Sequence, residues 1–158
     1  MKKLIFVIAF LVIGLISEAQ INDHALGVRL GGGNYFGGEL SYQKALGSSN
    51  RIELDFGFSG KKDYSRLAVI GIYQWHWNLS QGLNWYAGPG GSVGLYSDKG
   101  NNGYLNIALG GQVGIEYNFN DNGVPLLLSL DVRPMWDFLG DNPGLGWGVA
   151  LGIRYTWN

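Results

Sequence analysis

The chain has 158 residues, a length that suits one domain, with a formal net charge of −1 and no cysteine. The lack of cysteine excludes disulfides, thiolate metal sites and a lipid anchor on a thiol. The near-neutral charge gives no reason to expect a nucleic-acid partner. The 27 glycines and the 14% aromatic content indicate a folded chain with many turns or close backbone contacts.

Residues 1–19 are predicted to be a cleaved secretory signal peptide. Two lysines near the start are followed by an apolar run at 4–16, and Ser17 and Ala19 supply the small residues of a cleavage site. The run is shorter than the roughly 20 residues that a transmembrane helix needs, and no later run is longer. We therefore expect export from the cytoplasm and a mature domain of residues 20–158.

Apolar residues recur at every second position from Ala25 onward, which is the side-chain period of a β-strand. Eight such segments are predicted, near residues 25–33, 36–43, 51–58, 66–78, 83–96, 105–119, 126–138 and 145–157. The fourth is the least regular, because Ile70 and Ile72 fall on its polar face. Turn-forming residues separate most segments, at 46–50, 59–63, 80–82, 97–103, 120–123 and 140–144. Eight strands joined by hairpins predict an all-β, antiparallel up-and-down barrel.

The polar face of the strands distinguishes a membrane barrel from a soluble one. It consists mostly of glycine, alanine, asparagine and glutamine, whereas a water-facing surface carries about 25–35% charged residues. Small side chains suit the narrow interior of an eight-stranded barrel, so the apolar face is predicted to meet lipid. The alternative is a lipocalin-like soluble barrel with its apolar face inside.

Aromatic residues of the apolar face collect near the strand ends. The end predicted to be periplasmic has Tyr42, Trp75, Trp77, Trp85, Tyr117, Phe119, Tyr155 and Trp157, and the other end has Phe36, Phe58, Trp136, Phe138 and Trp147. Two aromatic girdles around an aliphatic band are typical of the two lipid–water interfaces. The predicted fold is therefore an eight-stranded antiparallel up-and-down transmembrane β-barrel.

The last two segments resemble small Gram-negative outer-membrane β-barrels of the OmpA/OmpX-like kind. Residues 124–134 (VPLLLSLDVRP) are similar to the penultimate strand of such proteins, and residues 153–157 (IRYTW) to their last strand. Their last strand usually ends on its aromatic residue, whereas this chain continues to Asn158. The resemblance implies an outer-membrane location, insertion by the barrel-assembly machinery, and contact with outer-membrane lipid and lipopolysaccharide. It implies no single activity, and we expect a monomer.

Charged residues of the polar face are predicted to lie inside the barrel. They are Arg29, Glu39, Glu53, Asp55, Glu116, Asp131, Arg133 and Arg154. Both signs are present, so the first interpretation is a set of structural ion pairs, because a desolvated charge needs a partner. A narrow gated ion path is the alternative, although eight strands leave an interior just wide enough for side chains.

No convergent catalytic set is apparent in the sequence. Some outer-membrane barrels modify lipid A with a histidine and a serine, or an Asp–Ser pair, near the outer end. Here His24 and His76 fall at the predicted periplasmic end, and the outer end offers Ser59, Ser65, Ser97 and Asp98. His76 is interpreted as an interior or interfacial hydrogen-bonding residue.

Residues 118–123 loosely match the start of a calcium-binding loop, but Ser129 stands where an EF-hand needs a glutamate. A hairpin turn is predicted there instead, and no catalytic, cofactor or metal site is predicted. The expected function is a non-enzymatic outer-membrane barrel that serves envelope integrity or surface interaction. The alternatives are a lipid-modifying enzyme and, third, a narrow pore.

Overall fold

A computed structural model describes residues 21–33, 37–61, 64–98, 101–139 and 143–158. The predicted signal peptide, Phe36 and the parts of the predicted turns at 62–63, 99–100 and 140–142 lie outside these ranges.

Eight antiparallel strands form a closed barrel in which each strand pairs with its neighbours in the chain and the last pairs with the first. The strands are β1 (His24–Gly33), β2 (Gly37–Ala45), β3 (Asn50–Lys61), β4 (Tyr64–Ser80), β5 (Leu83–Asp98), β6 (Asn101–Asn118), β7 (Leu126–Asp137) and β8 (Gly144–Trp157). The predicted all-β up-and-down barrel is confirmed. No helix in the described part of the chain is long and apolar enough to cross a bilayer.

The two ends of the barrel differ in how well the turns were predicted. At the terminal end, which carries His24 and Trp157, the predicted turns at 80–82 and 120–123 are confirmed. Gly82 and Gly123 in these turns have a positive φ, of 75° and 77°. Glycine adopts this conformation readily because it has no Cβ.

At the opposite, distal end the strands are longer than predicted. Residues 59–61 belong to β3, and residues 97–98 and 101–103 belong to β5 and β6, so the predictions of turns there were wrong. The physical reason is that polar, turn-forming residues continue an antiparallel ladder when a neighbouring strand is available, as Ser59 does opposite Arg66. Phe119 and Phe138 were predicted to end the sixth and seventh strands, and they lie just beyond β6 and β7.

Side chains alternate between the two faces of the sheet along each strand. In β8, Leu145 and Trp147 are 62% and 54% exposed, whereas the alternate positions Gly146, Gly148 and Ala150 are buried. Leucine, valine and isoleucine dominate the exterior of the described strands, and many buried side chains are polar or charged. Such a surface is unfavourable in water and suits hydrocarbon.

Candidate functional site

The structure brings the predicted interior charges together into one network, and Arg51 joins them. These residues project inward from β1, β2, β3, β6, β7 and β8. All are buried except Glu39, whose side chain is 14% exposed. Arg51 was missed by the sequence analysis although it shares its face with Glu53 and Asp55, because it is the first residue of the predicted segment and follows the predicted turn at 46–50 directly.

Glu53 is the centre of the network, and its side chain is fully buried. One carboxylate oxygen, Oε1, accepts hydrogen bonds from Arg133 Nη2 at 2.8 Å and from Gln112 Nε2 at 3.1 Å. The other, Oε2, accepts from Arg154 Nη2 at 3.0 Å and from Gln43 Nε2. Four donors occupy the acceptor sites of the carboxylate, which is what a desolvated anion requires.

On the distal side of the network, Arg133 and Arg29 each bind more than one carboxylate. Arg133 Nη2 also donates to Asp55 at 2.5 Å, and its Nη1 lies 3.4 Å from Glu39. Arg29 donates from Nε and Nη2 to the two oxygens of Asp131, a bidentate pair, and from Nη1 to Glu39 at 2.6 Å. Glu39 therefore links the two arginines.

The terminal side of the network is built around Arg51. Its Nη2 donates to Glu116 at 2.8 Å and its Nε to Gln74 Oε1 at 2.8 Å. Gln74 donates onward to Gln112 at 2.7 Å, and Gln112 donates to Glu53. A continuous chain of polar side chains therefore joins the two sides of the interior.

Arg154 has three hydrogen-bond partners, and the residue beside its guanidinium is a glycine. Its Nε donates to Ser41 at 3.0 Å and its Nη1 to Ser129 at 2.7 Å, in addition to the bond to Glu53. A Cβ at Gly152 would lie 2.3 Å from Arg154 Nη1 and 2.4 Å from the Ser129 hydroxyl. A side chain at position 152 would therefore displace the guanidinium or the serine hydroxyl, whereas glycine leaves room for both.

No hydrogen bond joins the side chain of a described histidine to a serine; the only serine contact of His76 is from its backbone N–H to the Ser49 carbonyl, at 2.8 Å. The His76 side chain is fully buried; its Nδ1 lies 3.5 Å from Glu116, its Nε2 lies 3.3 Å from Gln74 Oε1, and its ring stacks on Tyr86 at 5.3 Å. His24 Nδ1 lies 2.8 Å from the Tyr42 hydroxyl, at the terminal end.

The serines at the distal end lie far from both histidines. Ser65 and Ser97 are opposite each other in the β4–β5 ladder and are exposed. The side chains of Ser59 and Asp98 are outside the described parts of the structure. Within the described residues, no group of three acidic or histidine side chains could hold a metal ion.

A small cavity lies on the distal side of the network. It has a volume of about 30 Å³ and is lined by Arg29, Glu39, Arg66 and Arg133 together with small and apolar residues. A buried water needs roughly 10–15 Å³ of free volume, so this space has room for about two waters. Arg66 also lies over the Tyr96 ring, with its guanidinium carbon 5.0 Å from the ring centre.

Aromatic residues lie at both ends of the exterior, but unequally. Those of the terminal end contact one another in pairs, among them Trp77 and Trp85, whose stacked rings are 4.2 Å apart. At the distal end, Phe58, Trp136, Phe138 and Trp147 are exposed. In line with Phe58, β4, β5 and β6 present leucines at positions 67, 95 and 105, so the distal girdle is interrupted in the described strands.

No protein-family model and no curated protein sequence matches the chain. Among solved structures, the N-terminal β-barrel domain of Pseudomonas aeruginosa OprF matches with a TM-score of 0.63 and 11% identity, over 87% of this chain and 100% of that one. Neisserial surface protein A matches with a TM-score of 0.57 and 12% identity, over 85% and 94%. The outer membrane enzyme PagL matches with a TM-score of 0.50 and 10% identity, over 84% and 99%.

These likenesses concern the fold. The chain has the fold of small outer-membrane β-barrels of the OmpA/OmpX-like kind, as the resemblance of its last two segments led us to expect. At such low identity they carry no activity over to this chain, and one of the three matched proteins is an enzyme.

Proposed function

We propose that the protein is a non-enzymatic integral barrel of the outer membrane that serves envelope integrity or surface interaction. The observation that supports this proposal is the occupied interior: ion pairs from six strands meet around Glu53. Paired charges that fasten opposite walls leave no room for a substrate or a steady flow of ions. The surface exposed to the surroundings is then the functional one.

The proposed location rests on the exposed aliphatic band and on the predicted signal peptide. A closed ladder pairs the backbone groups of the spanning strands, which hydrocarbon demands. We propose that the barrel-assembly machinery inserts the chain, and that the mature protein is a monomer surrounded by outer-membrane lipid and lipopolysaccharide.

The first test is electrophoresis of outer-membrane fractions in SDS, with and without boiling. A closed hydrogen-bonded barrel resists unheated SDS, so the mobility of the protein is expected to change on boiling. Recovery from the soluble periplasm with no such change would contradict a membrane barrel and support the lipocalin-like alternative.

The role in the envelope is tested by deleting the gene and measuring the entry of a large hydrophobic antibiotic. We expect entry to rise, and expression of the wild-type protein to restore the barrier. Unchanged entry would eliminate the integrity role, and binding of whole cells to host or neighbouring-cell surfaces would then test the interaction role.

The two alternatives have direct assays. The enzymatic alternative requires the purified barrel to change the mass of lipid A, with loss of that change in His76→Ala. The pore alternative requires steady conductance in planar bilayers. We expect neither result, because His76 has Glu116, Gln74 and Tyr86 as its partners and the cavity is small.

A further inference from the structure

We propose that the interior network holds one proton on the side chain of Asp55, and that loss of this proton at alkaline pH destabilises the barrel. Asp55 is then a neutral carboxylic acid in the folded protein, while the other carboxyl groups of the network are ionised. This proton site goes beyond the envelope role, because it makes the stability of the barrel respond to pH.

The distal side of the network contains one more carboxyl group than guanidinium groups. The three arginines are Arg29, Arg133 and Arg154, and the four acidic residues are Glu39, Glu53, Asp55 and Asp131. Arg66 and Asp137 add one charge of each sign to the described interior, so the difference remains. On the terminal side, Arg51 and Glu116 balance each other. A desolvated charge without a counter-charge is costly, so one of the four carboxyl groups is expected to be neutral.

Asp55 has the weakest compensation of these four groups. Its Oδ2 accepts from Arg133 Nη2 at 2.5 Å, but the same nitrogen also donates to Glu53 at 2.8 Å. Glu53 and Glu39 each have a second arginine as a partner. Asp131 accepts from its arginine through both oxygens. For Asp55, Arg133 is the only arginine that forms a salt bridge in the described structure.

One oxygen of Asp55 accepts no hydrogen bond. The side chain is fully buried, yet Oδ1 has no donor among the described residues. An ionised carboxylate needs donors at both oxygens, whereas a protonated oxygen is itself a donor. Gln43 Oε1 is a second buried acceptor that lacks a donor from the described residues. Gln43 lies opposite Glu53 and therefore diagonally across the β2–β3 ladder from Asp55, which is within the reach of long side chains.

The side of Asp55 towards β4 is apolar. Asp55 lies opposite Ile70 in the β3–β4 ladder. Ile70 belongs to a buried apolar cluster with Ala68, Ile72, Ala108 and Met135. Burial against apolar groups disfavours the charged form of a carboxyl group, because no water or dipole replaces its hydration.

The polar groups around Asp55 are, taken together, negative. They are Arg133 from β7, Glu39 and the Ser41 hydroxyl from β2, and Glu53 from β3 itself. Two carboxylates and one guanidinium favour retention of a proton on a third carboxyl group. His76 does not compensate, because its ring nitrogens lie near Glu116 and Gln74 on the terminal side.

The first experiment compares Asp55→Asn, which mimics the neutral carboxyl group, with Asp131→Asn as the matched control. Each variant is checked for the heat-dependent shift in SDS and then unfolded by urea in lipid vesicles at about pH 5, 7 and 9. The folded protein holds a proton that the unfolded chain releases above about pH 4, so wild-type stability falls as the pH rises.

We therefore expect the urea midpoint of Asp55→Asn to equal or exceed that of the wild type, by an amount that grows with pH. Asp131→Asn is expected to lower the midpoint at each pH, because Arg29 loses its bidentate partner. A midpoint of Asp55→Asn below that of the wild type at neutral pH, as for Asp131→Asn, would overturn the proposal, because Asp55 would then be needed as an anion.

Infrared spectroscopy detects the proton directly and does not depend on a variant that folds. Vesicles of ether-linked phosphatidylcholine are used, because they have no ester carbonyl to mask the signal. A neutral carboxylic acid has a carbonyl stretching band that a carboxylate lacks. We expect this band in the wild type at neutral pH and its loss at alkaline pH, and we expect it in Asp131→Asn but not in Asp55→Asn.

Three spectroscopic or thermodynamic results would contradict the proposal. Lack of the band in the wild type at neutral pH would mean that every carboxyl group of the network is ionised. A band that persists in Asp55→Asn would place the proton on another residue. A wild-type midpoint that changes when choline replaces sodium at constant ionic strength, but not with pH, would mean that a bound cation balances the charge.

Discussion

Glu53 is the residue on which the interior depends most. It lies fully buried between Arg133 and Arg154, and both guanidiniums donate to it. A buried ion pair adds little net stability when it is compared with apolar packing, but removal of one partner leaves the other charge desolvated. Removal of one member of the network is therefore expected to lower stability more than replacement of a whole ion pair by apolar residues.

We expect Glu53→Ala to lower the free energy of unfolding by about 3–5 kcal/mol, the cost of breaking a buried pair. Urea unfolding of the barrel in lipid vesicles, followed by tryptophan fluorescence, measures it. Asp121→Asn is the control, because Asp121 is exposed in the turn between β6 and β7. Equal midpoints for Glu53→Ala and the wild type would mean that the network contributes little.

Gly152 gives a second prediction at this scale. Gly152→Val places atoms where Arg154 and Ser129 lie and is expected to cost about 1–3 kcal/mol through overpacking, with loss of an arginine hydrogen bond in addition. Gly71→Ala is the matched control, since its Cβ makes only an ordinary contact. The same urea assay applies, and a Gly152→Val barrel as stable as the control would show that the interior can rearrange.

The sequence predicted which charges face inward but not how they pair. The inward set follows from alternation alone, and Arg51 could have been included by extending it to the first residue of its segment. Partners such as Arg29 and Asp131 are 102 positions apart in the chain. Their contact depends on the closure and stagger of the whole barrel, which local alternation does not contain.

At the scale of the strand, periodicity located all eight elements but not their distal ends. Turn propensity is a local quantity, whereas the end of a strand depends on whether its neighbour still offers a ladder. In β3 the ladder with β4 continues to Lys61 opposite Tyr64, through residues whose composition indicates a turn.

Hydrogen exchange distinguishes a ladder from a turn in this segment. We expect at least one of the two backbone amides of Ser59 and Gly60 to exchange much more slowly than those of Ser48 and Ser49, which lie in the bend after β2. Only one is required, because successive N–H groups of a strand point to opposite sides. NMR in nanodiscs measures the rates, and fast exchange at both positions would restore the turn predicted from the sequence.

At the scale of the whole molecule, polarity is inverted relative to a soluble barrel. The exposed Leu145 and the buried Arg154 lie on the same strand and differ only in the face to which they point. The sequence predicted this inversion because the polar face has too few charges for a water-facing surface. The interior cavity could not be predicted, because its lining residues come from strands that are far apart in the chain.

The separation of Arg29 from Asp131 in the chain also constrains how the barrel can form. β1 carries the arginine and β7 the aspartate, so neither charge is neutralised by the other until late strands have joined early ones. A single strand that entered hydrocarbon ahead of the rest would carry a bare charge, at a cost of several kcal/mol. Insertion of single strands is therefore penalised. Glu39 can neutralise Arg29 as soon as β1 and β2 have paired, whereas Asp131 gains its arginine only when β7 and β1 are both in place, so the charge of Asp131 is compensated only after early and late strands have come together.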